Sequence, residues 1–200
     1  MPKPDAKAKR VVVLVVGRWQ PFHLGHLDLV RRAIREYGDI ILGIGSSNKS
    51  NTWENPFTLN ERIIMILSCL KAEGLFDRVT IVPIPDVGND VLWLKQVEDM
   101  LPEIGLVITG NDWCWRIFQE AGYNVMPPKF FRKEFYNGTK IREDICSHKD
   151  VWRKKVHPTV AGMIDSIPGL DERFRTKECK GKTTTDGRRR CKIITRKKRG

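Results

Sequence analysis

The sequence predicts a doubly wound α/β fold, a parallel sheet of about five strands with helices on both faces. Two observations carry this. Short, uniformly apolar, largely β-branched runs at residues 11–16 and 40–45 read as strands buried on both faces, the pattern of a parallel sheet. The segments between such runs carry apolar residues at helical spacing, so strand and helix alternate along the chain. There is no internal repeat.

Residues 11–16 are the first strand. Residues 17–26 (Gly17-Arg18-Trp19-Gln20-Pro21-Phe22-His23-Leu24-Gly25-His26) break it and feed a helix from Leu27 through Ile34. Two histidines therefore sit where a central strand turns into a helix. In open α/β sheets that edge is the ligand-binding end, and a helix N-terminus there favours anions. Residues 40–45, the second strand, empty into a polar loop over 46–55. Behind Pro56, Thr58 with Glu61 forms a capping box for the next helix. Ile63, Ile64, Leu67 and Leu70 are expected on its buried side, with Gly74 at its end.

Residues 79–83 are the third strand, and 84–88 a loop at the same sheet edge as the first motif. Asn89 or Asp90 caps a helix running through Trp93, Val97 and Leu101. Residues 106–110 are the fourth strand, with Asn111 or Asp112 capping its helix. Residues 123–126 make a short fifth strand, closed by Pro127 and Pro128. Residues 150–167 support one or two short helices packed through Trp152, Val156, Val160 and Ile164, with Pro158 and Pro168 as breakers.

Two hundred residues suit one domain with its own core. No apolar run approaches the roughly 18 residues of a membrane span, and the first is too short for a secretory leader, so a cytoplasmic location is expected. Cys69, Cys114, Cys146, Cys179 and Cys191 form no C-x-x-C pair, which suggests neither a disulfide framework nor a zinc site. The net charge of +12 is localised: residues 173–200 hold 13 Lys/Arg against 2 Asp/Glu. The chain thus divides into a basic extension (1–10), a near-neutral folded domain (11–170) and a basic tail (171–200). The tail reads as a solvated arm or as a sequence-blind contact for nucleic acid.

Two places carry chemistry. His23 and His26 with Arg18 suit stabilisation of charge on phosphoryl oxygens better than proton abstraction. The plainer alternatives are a metal pair or polar loop residues. Gly25 between the histidines removes a Cβ, so a phosphate can approach the backbone. In residues 136–142, Asn137 or Thr139 caps a helix, and Thr139 and Arg142 share one face. That makes a phosphate clamp, or else an ordinary capped surface helix.

Residues 17–26 resemble the H-x-G-H signature of the nucleotidylyltransferase superfamily. Together with Asn55-Pro56-Phe57-Thr58-Leu59-Asn60-Glu61-Arg62 they most resemble the archaeal-type nicotinamide-mononucleotide adenylyltransferases, over about residues 11–170. The resemblance implies a Rossmann-like fold and adenylyl transfer, with ATP as a substrate carrying Mg²⁺ and no metal site of the protein's own. It implies catalytic roles for His23, His26, Arg18 and Arg142. Gly17, Gln20, Phe22 and Gly25 join them at ATP from the first motif, Gly110 and Asn111 from the fourth strand, and Asn137 and Thr139 from the second motif.

For the acceptor the resemblance implies Asn48, Asn51, Asp86, Asp90 and Trp93. Trp93 stacks on the pyridine ring or, equally, fills the core. Asn137 stands where relatives carry Ser, Asp90 where they carry Asn, Asn51 where they carry His, and Glu54 where they carry a basic residue. The first of these bears on the triphosphate contact, and the other three keep pantetheine, flavin and polyol phosphates open as acceptors beside the pyridine mononucleotide. A non-catalytic nucleotide- or nucleic-acid-binding protein is the reading from another class. The resemblance also implies a homo-oligomer. Trp113, Trp115 and Phe118 read as a partly buried helix face or an oligomer contact. Phe130 and Phe131 wall the nucleotide site or pack their own loop.

Overall fold

The structure, a computed structural model, describes residues 11–101, 103–128 and 134–174. The expectations for residues 1–10, Phe130, Phe131, Cys179, Cys191 and the basic tail beyond Phe174 lie outside the described residues. Five strands, β1 (Val12–Gly17), β2 (Ile40–Ile44), β3 (Val79–Pro83), β4 (Ile104–Thr109) and β5 (Val125–Met126), form one sheet in the order β3-β2-β1-β4-β5. Every pairing is parallel. The helices are α1 (Leu24–Tyr37), α2 (Leu59–Ala72), α3 (Asp90–Met100), α4 (Asp112–Glu120), α5 (Gly138–Cys146), α6 (Pro158–Ser166) and α7 (Leu170–Arg173). The doubly wound fold is therefore as expected.

Alternation along β1 divides the interior in two. Val13 and Val15 face a core shared with α1, α2 and α6, whereas Leu14 and Val16 face Trp93, Val97 and Phe118 of α3 and α4. With helices on both faces, the strand order reverses between β1 and β4. The connections leaving these neighbours depart to opposite sides and open a crevice at their carboxyl ends.

Helix caps follow local chemistry. Thr58 and Glu61 form the reciprocal box, with the Thr58 N–H donating to Glu61 at 2.8 Å and the Glu61 N–H to Thr58 Oγ1 at 3.3 Å. Asn89, Asn111 and Asn137 cap α3, α4 and α5, which leaves Asp90 to Arg116 and Trp113, and Thr139 to Arg142.

The expected buried face of α2 is corrected. Arg62, Met65, Ile66, Cys69 and Leu70 are buried, and Ile64 is 50% exposed. The true stripe includes an arginine, which a pattern built on apolar residues alone cannot count, so the expected face was rotated.

The C-terminal part braces this frame. Lys155 donates to Asp144 of α5 at 2.7 Å, both side chains buried. At α7, Arg173 bonds both carboxylate oxygens of Glu61 (2.9 and 2.7 Å) and the Pro56 carbonyl (3.3 Å). Phe174 is fully buried and packs edge-on against Trp53.

Candidate active site

The site starts with the turn that leaves β1. Trp19 adopts a left-handed backbone (φ 53°), a conformation a bulky residue keeps only when its surroundings demand it. Its indole N–H donates to the Gly43 carbonyl at 2.9 Å. Gly17 has no room for a side chain, because a Cβ would lie 2.9 Å from that indole ring. Gln20 is buried with both ends of its amide engaged: Nε2 donates to the Phe57 carbonyl and Oε1 accepts from the Phe57 N–H, each at 3.0 Å. Phe22 is buried against Trp19 and His26. Gln20 and Phe22 thus support the turn from within and do not line the cavity beside it.

His23 and His26 cap α1 reciprocally. The His26 N–H donates to His23 Nδ1 at 3.2 Å, and the His23 N–H to His26 Nδ1 at 3.3 Å. The rings stack with centroids 3.4 Å apart. A backbone N–H needs a lone pair to meet, so both Nδ1 atoms are unprotonated and both ring protons sit on Nε2. Neither Nε2 is engaged by another described group. Burial pushes His23 down to about 3, with the Arg142 charge adding to it. Burial, and then His23, hold His26 well below its ordinary range. The site therefore presents two neutral N–H donors, not two cations.

The same shift makes a prediction for stability. The His23 pKa falls from 6.5 unfolded to about 3 folded, so the unfolded chain binds a proton that the folded one refuses. Its contribution is fully present above about pH 6.5 and is lost at about 1.4 kcal/mol per pH unit as acid is added, down to about pH 3. Between about pH 7.5 and 5, urea melts should show a loss of about 2 kcal/mol from His23 alone, and His23→Gln should flatten the slope. Equal slopes for the two proteins would count against the buried, neutral imidazole.

The second motif meets the first from α5. Arg142 is buried; its Nη1 donates to the Gln20 carbonyl at 2.8 Å and its Nη2 to Thr139 Oγ1 at 3.1 Å, while Nε has no partner. Trp53 lies under the guanidinium, 5.9 Å from ring centroid to Cζ. Burial and then the Arg18 charge lower Arg142 to about 10, opposed by Glu54 and Glu143. Glu54 therefore acts as a counter-charge to Arg142. Gly25 has a structural reason beyond phosphate approach: a Cβ there would lie 2.7 Å from the Tyr136 Cβ and 3.2 Å from His23 Nδ1. Its bare backbone lets the two motifs touch.

Between β1 and β4 lies a cavity of about 690 Å³. Gly17, Arg18 and His26 reach it from the β1 turn, Ser46 and Lys49 from the loop after β2, Asp86 from the loop after β3, and Gly110 and Asn111 from the end of β4. Trp93 and Trp113 wall it. His23, Asn137, Thr139 and Arg142 stand behind or beside this space, outside its lining.

Of the expected acceptor residues, Asp86 and Trp93 line the cavity. Asn48 holds Asp86 by a two-way bond, its Nδ2 donating to the Asp86 carbonyl (3.0 Å) and its Oδ1 accepting from the Asp86 N–H (2.9 Å). Asn51 is exposed and bonded to Ser50, outside the lining. Asp90 pairs with Arg116 at 2.6 Å and accepts from the Trp113 indole at 3.1 Å. A carboxylate at this place thus props Trp113, which packs edge-on against Trp93 with centroids 4.8 Å apart. Trp93 is buried among core residues, yet forms cavity wall and keeps an unpartnered indole N–H. Its place in the core is as expected, and one side of it faces the cavity. Phe118 is buried and Trp113 partly exposed, as expected of a half-buried helix face.

Two residues escaped the sequence reading. Lys49, the one cation in loop 46–55, pairs with Asp86 at 2.7 Å on the cavity wall. Arg62 was hidden by its place in an apolar stripe. Among the described residues no three His, Cys, Asp or Glu side chains gather to hold a metal, and the one carboxylate in the lining, Asp86, is already paired.

A family described as cytidylyltransferase-like matches residues 14–144. The chain is 39% identical over 156 residues to the nicotinamide-nucleotide adenylyltransferase of Methanococcus aeolicus, covering 78% of this chain and 89% of the relative. To the protein of that name from Archaeoglobus fulgidus it is 39% identical over 159 residues, covering 78% and 91%. Among solved structures it is similar in fold to a bifunctional NMN adenylyltransferase/ADP ribose pyrophosphatase from Francisella tularensis (TM-score 0.66, 20% identity), covering 82% of this chain and about half, 52%, of that one. It is also similar to the Plasmodium falciparum nicotinic acid mononucleotide adenylyltransferase complexed with NaAD (TM-score 0.56, 13% identity), covering 81% of this chain and 98% of that one.

Proposed function

The chain belongs to the cytidylyltransferase-like family, and from that premise we propose that it transfers the adenylyl group of ATP to nicotinamide mononucleotide, giving NAD and pyrophosphate. The observation that carries this reading is the reciprocal His23–His26 cap beside the cavity, with Arg18 and Arg142 close by. The archaeal relatives named nicotinamide-nucleotide adenylyltransferase favour the pyridine mononucleotide over a pantetheine, flavin or polyol phosphate.

In this reaction an oxygen of the acceptor's 5′-phosphate attacks the α-phosphorus of ATP, the bond from that phosphorus to the bridging oxygen breaks, and pyrophosphate leaves. Such a transfer rests on alignment and on spreading charge, and needs no covalent intermediate. In this reading the Nε2–H of His26 donates to oxygens on the α-phosphorus, Arg18 meets the phosphate chain in the cavity, and Arg142 with the N-terminus of α5 takes its far end. Asp86, Lys49 and Trp93 receive the acceptor. Mg²⁺ carried on the triphosphate supplies charge neutralisation; phosphate oxygens suit it as ligands better than this wall with its single, paired carboxylate. A cytoplasmic homo-oligomer, with the basic tail touching nucleic acid without regard to sequence, belongs to the same reading. Among the described residues no helix is long and apolar enough to cross a membrane.

The test is pyrophosphate release by purified protein given ATP, Mg²⁺ and nicotinamide mononucleotide, with NAD detected by its enzymatic reduction. Release only with another phosphorylated acceptor reassigns the substrate, and release with none would sink adenylyl transfer.

A further inference from the structure

Arg62 of α2 is fully buried, and its guanidinium meets only main-chain oxygens. Nη1 donates to the carbonyls of Arg18 (3.0 Å) and Gly45 (2.9 Å), Nη2 to that of Ser46 (3.1 Å), and Nε to that of Thr58 (3.4 Å). Among the described residues no carboxylate pairs with it directly; Asp86 acts only through space, against burial and the Arg18 charge. An enclosed guanidinium without a carboxylate partner is a costly way to satisfy carbonyls, so the fold alone gives it little reason. Its partners supply one. Arg18 belongs to the turn after β1, Gly45 and Ser46 to the turn after β2, and all three line the cavity. Ser46 is itself held in a left-handed conformation (φ 49°). One planar, five-donor fork thus fixes the gap between two turns that would otherwise be joined there by the Gly45 N–H to Gly17 carbonyl bond and by the Trp19 indole on the Gly43 carbonyl.

We propose that Arg62 is a positioning residue of this active site, setting the separation of the β1 and β2 turns so that the phosphates they hold lie in line. The proposal rests on the adenylyl-transfer reading and deepens it. A fault in alignment acts on the chemical step more than on ground-state binding, and a misplacement of about 1 Å lowers the rate about 10²-fold. The charge of Arg62 has a separate effect. It lies behind Arg18, and an anion entering the cavity relieves the repulsion between them.

The test uses the full chain with Arg62→Lys and Arg62→Met, initial rates against ATP and against nicotinamide mononucleotide, and circular dichroism with thermal melts for folding. Lysine keeps the charge but lacks the planar fork, so kcat should fall about 10²-fold while the KM for ATP moves by less than about threefold. Methionine should show the same fall in kcat and, with the charge gone, a higher KM for ATP as well. A folded lysine variant with kcat within about twofold of the parent overturns the proposal, as does a rise in KM with kcat kept. Loss of the folded state in both variants also overturns it, making Arg62 a determinant of the fold. Absence of pyrophosphate release by the unsubstituted protein is a different failure, that of adenylyl transfer itself.

Discussion

His26→Ala is expected to lower kcat by about 10²–10³-fold, the effect of removing one preorganised donor to developing negative charge. The reciprocal cap leaves the His26 ring neutral with its proton on Nε2, and that ring is the member of the pair lining the cavity. A neutral donor held by the backbone needs no reorganisation as charge moves onto the α-phosphate oxygens. Its loss should therefore appear equally in kcat and in kcat/KM, with the KM for ATP nearly unchanged. Alanine also strips the His23 N–H of its acceptor, which should cost about 1 kcal/mol of stability and a Tm shift of only a few degrees. Initial rates and a thermal melt on the same preparation separate the two effects. A folded variant with kcat near the parent's would remove His26 from the chemistry.

Arg142→Ala should act on both binding and rate, lowering kcat/KM for ATP by about 10³-fold. A charge-assisted contact to phosphate lost from a buried site is worth about 2–5 kcal/mol, partly felt in the ground state. Arg142 is already fixed by Gln20 and Thr139 and keeps an unpartnered Nε, so little ordering remains when a phosphate arrives. Unlike the histidine variant, this one should raise the KM for ATP and lose most of the rise in Tm that ATP gives the parent. Arg142→Lys should recover part of the affinity but not the parental rate, because an ammonium cannot serve Gln20, Thr139 and phosphate together. An alanine variant with unchanged ATP affinity would reduce Arg142 to a strut beneath the Gln20 turn.

The fold was legible because backbone burial writes itself into composition. A strand covered on both faces, such as residues 12–17, admits only apolar side chains, and the caps at Thr58, Asn89 and Asn111 follow from unsatisfied N–H groups. That residues 17–26 and 136–142 each open a helix was legible for the same local reason. Contacts that join distant segments were not. Nothing near Gln20 in sequence announces that its amide is taken by Phe57, and nothing near Asp90 announces Arg116. Arg62 was passed over because a stripe of apolar residues at 65, 66, 69 and 70 gives no hint that its first member is a cation whose partners are carbonyls. The charge state of the histidines was equally hidden, since it depends on burial and on each ring accepting the other's N–H.

The docking of Arg173 and Phe174 has a consequence for synthesis. The residues assigned to the phosphates lie between Gly17 and Arg142, yet Arg142 rests on Trp53, and Trp53 on Phe174. A ribosome has therefore translated all the reactive groups well before it reaches the residue that backs them. The nascent chain should gain full activity only after Phe174 has left the exit tunnel, so a chain terminated just before Phe174 would carry residues 17–142 without that support.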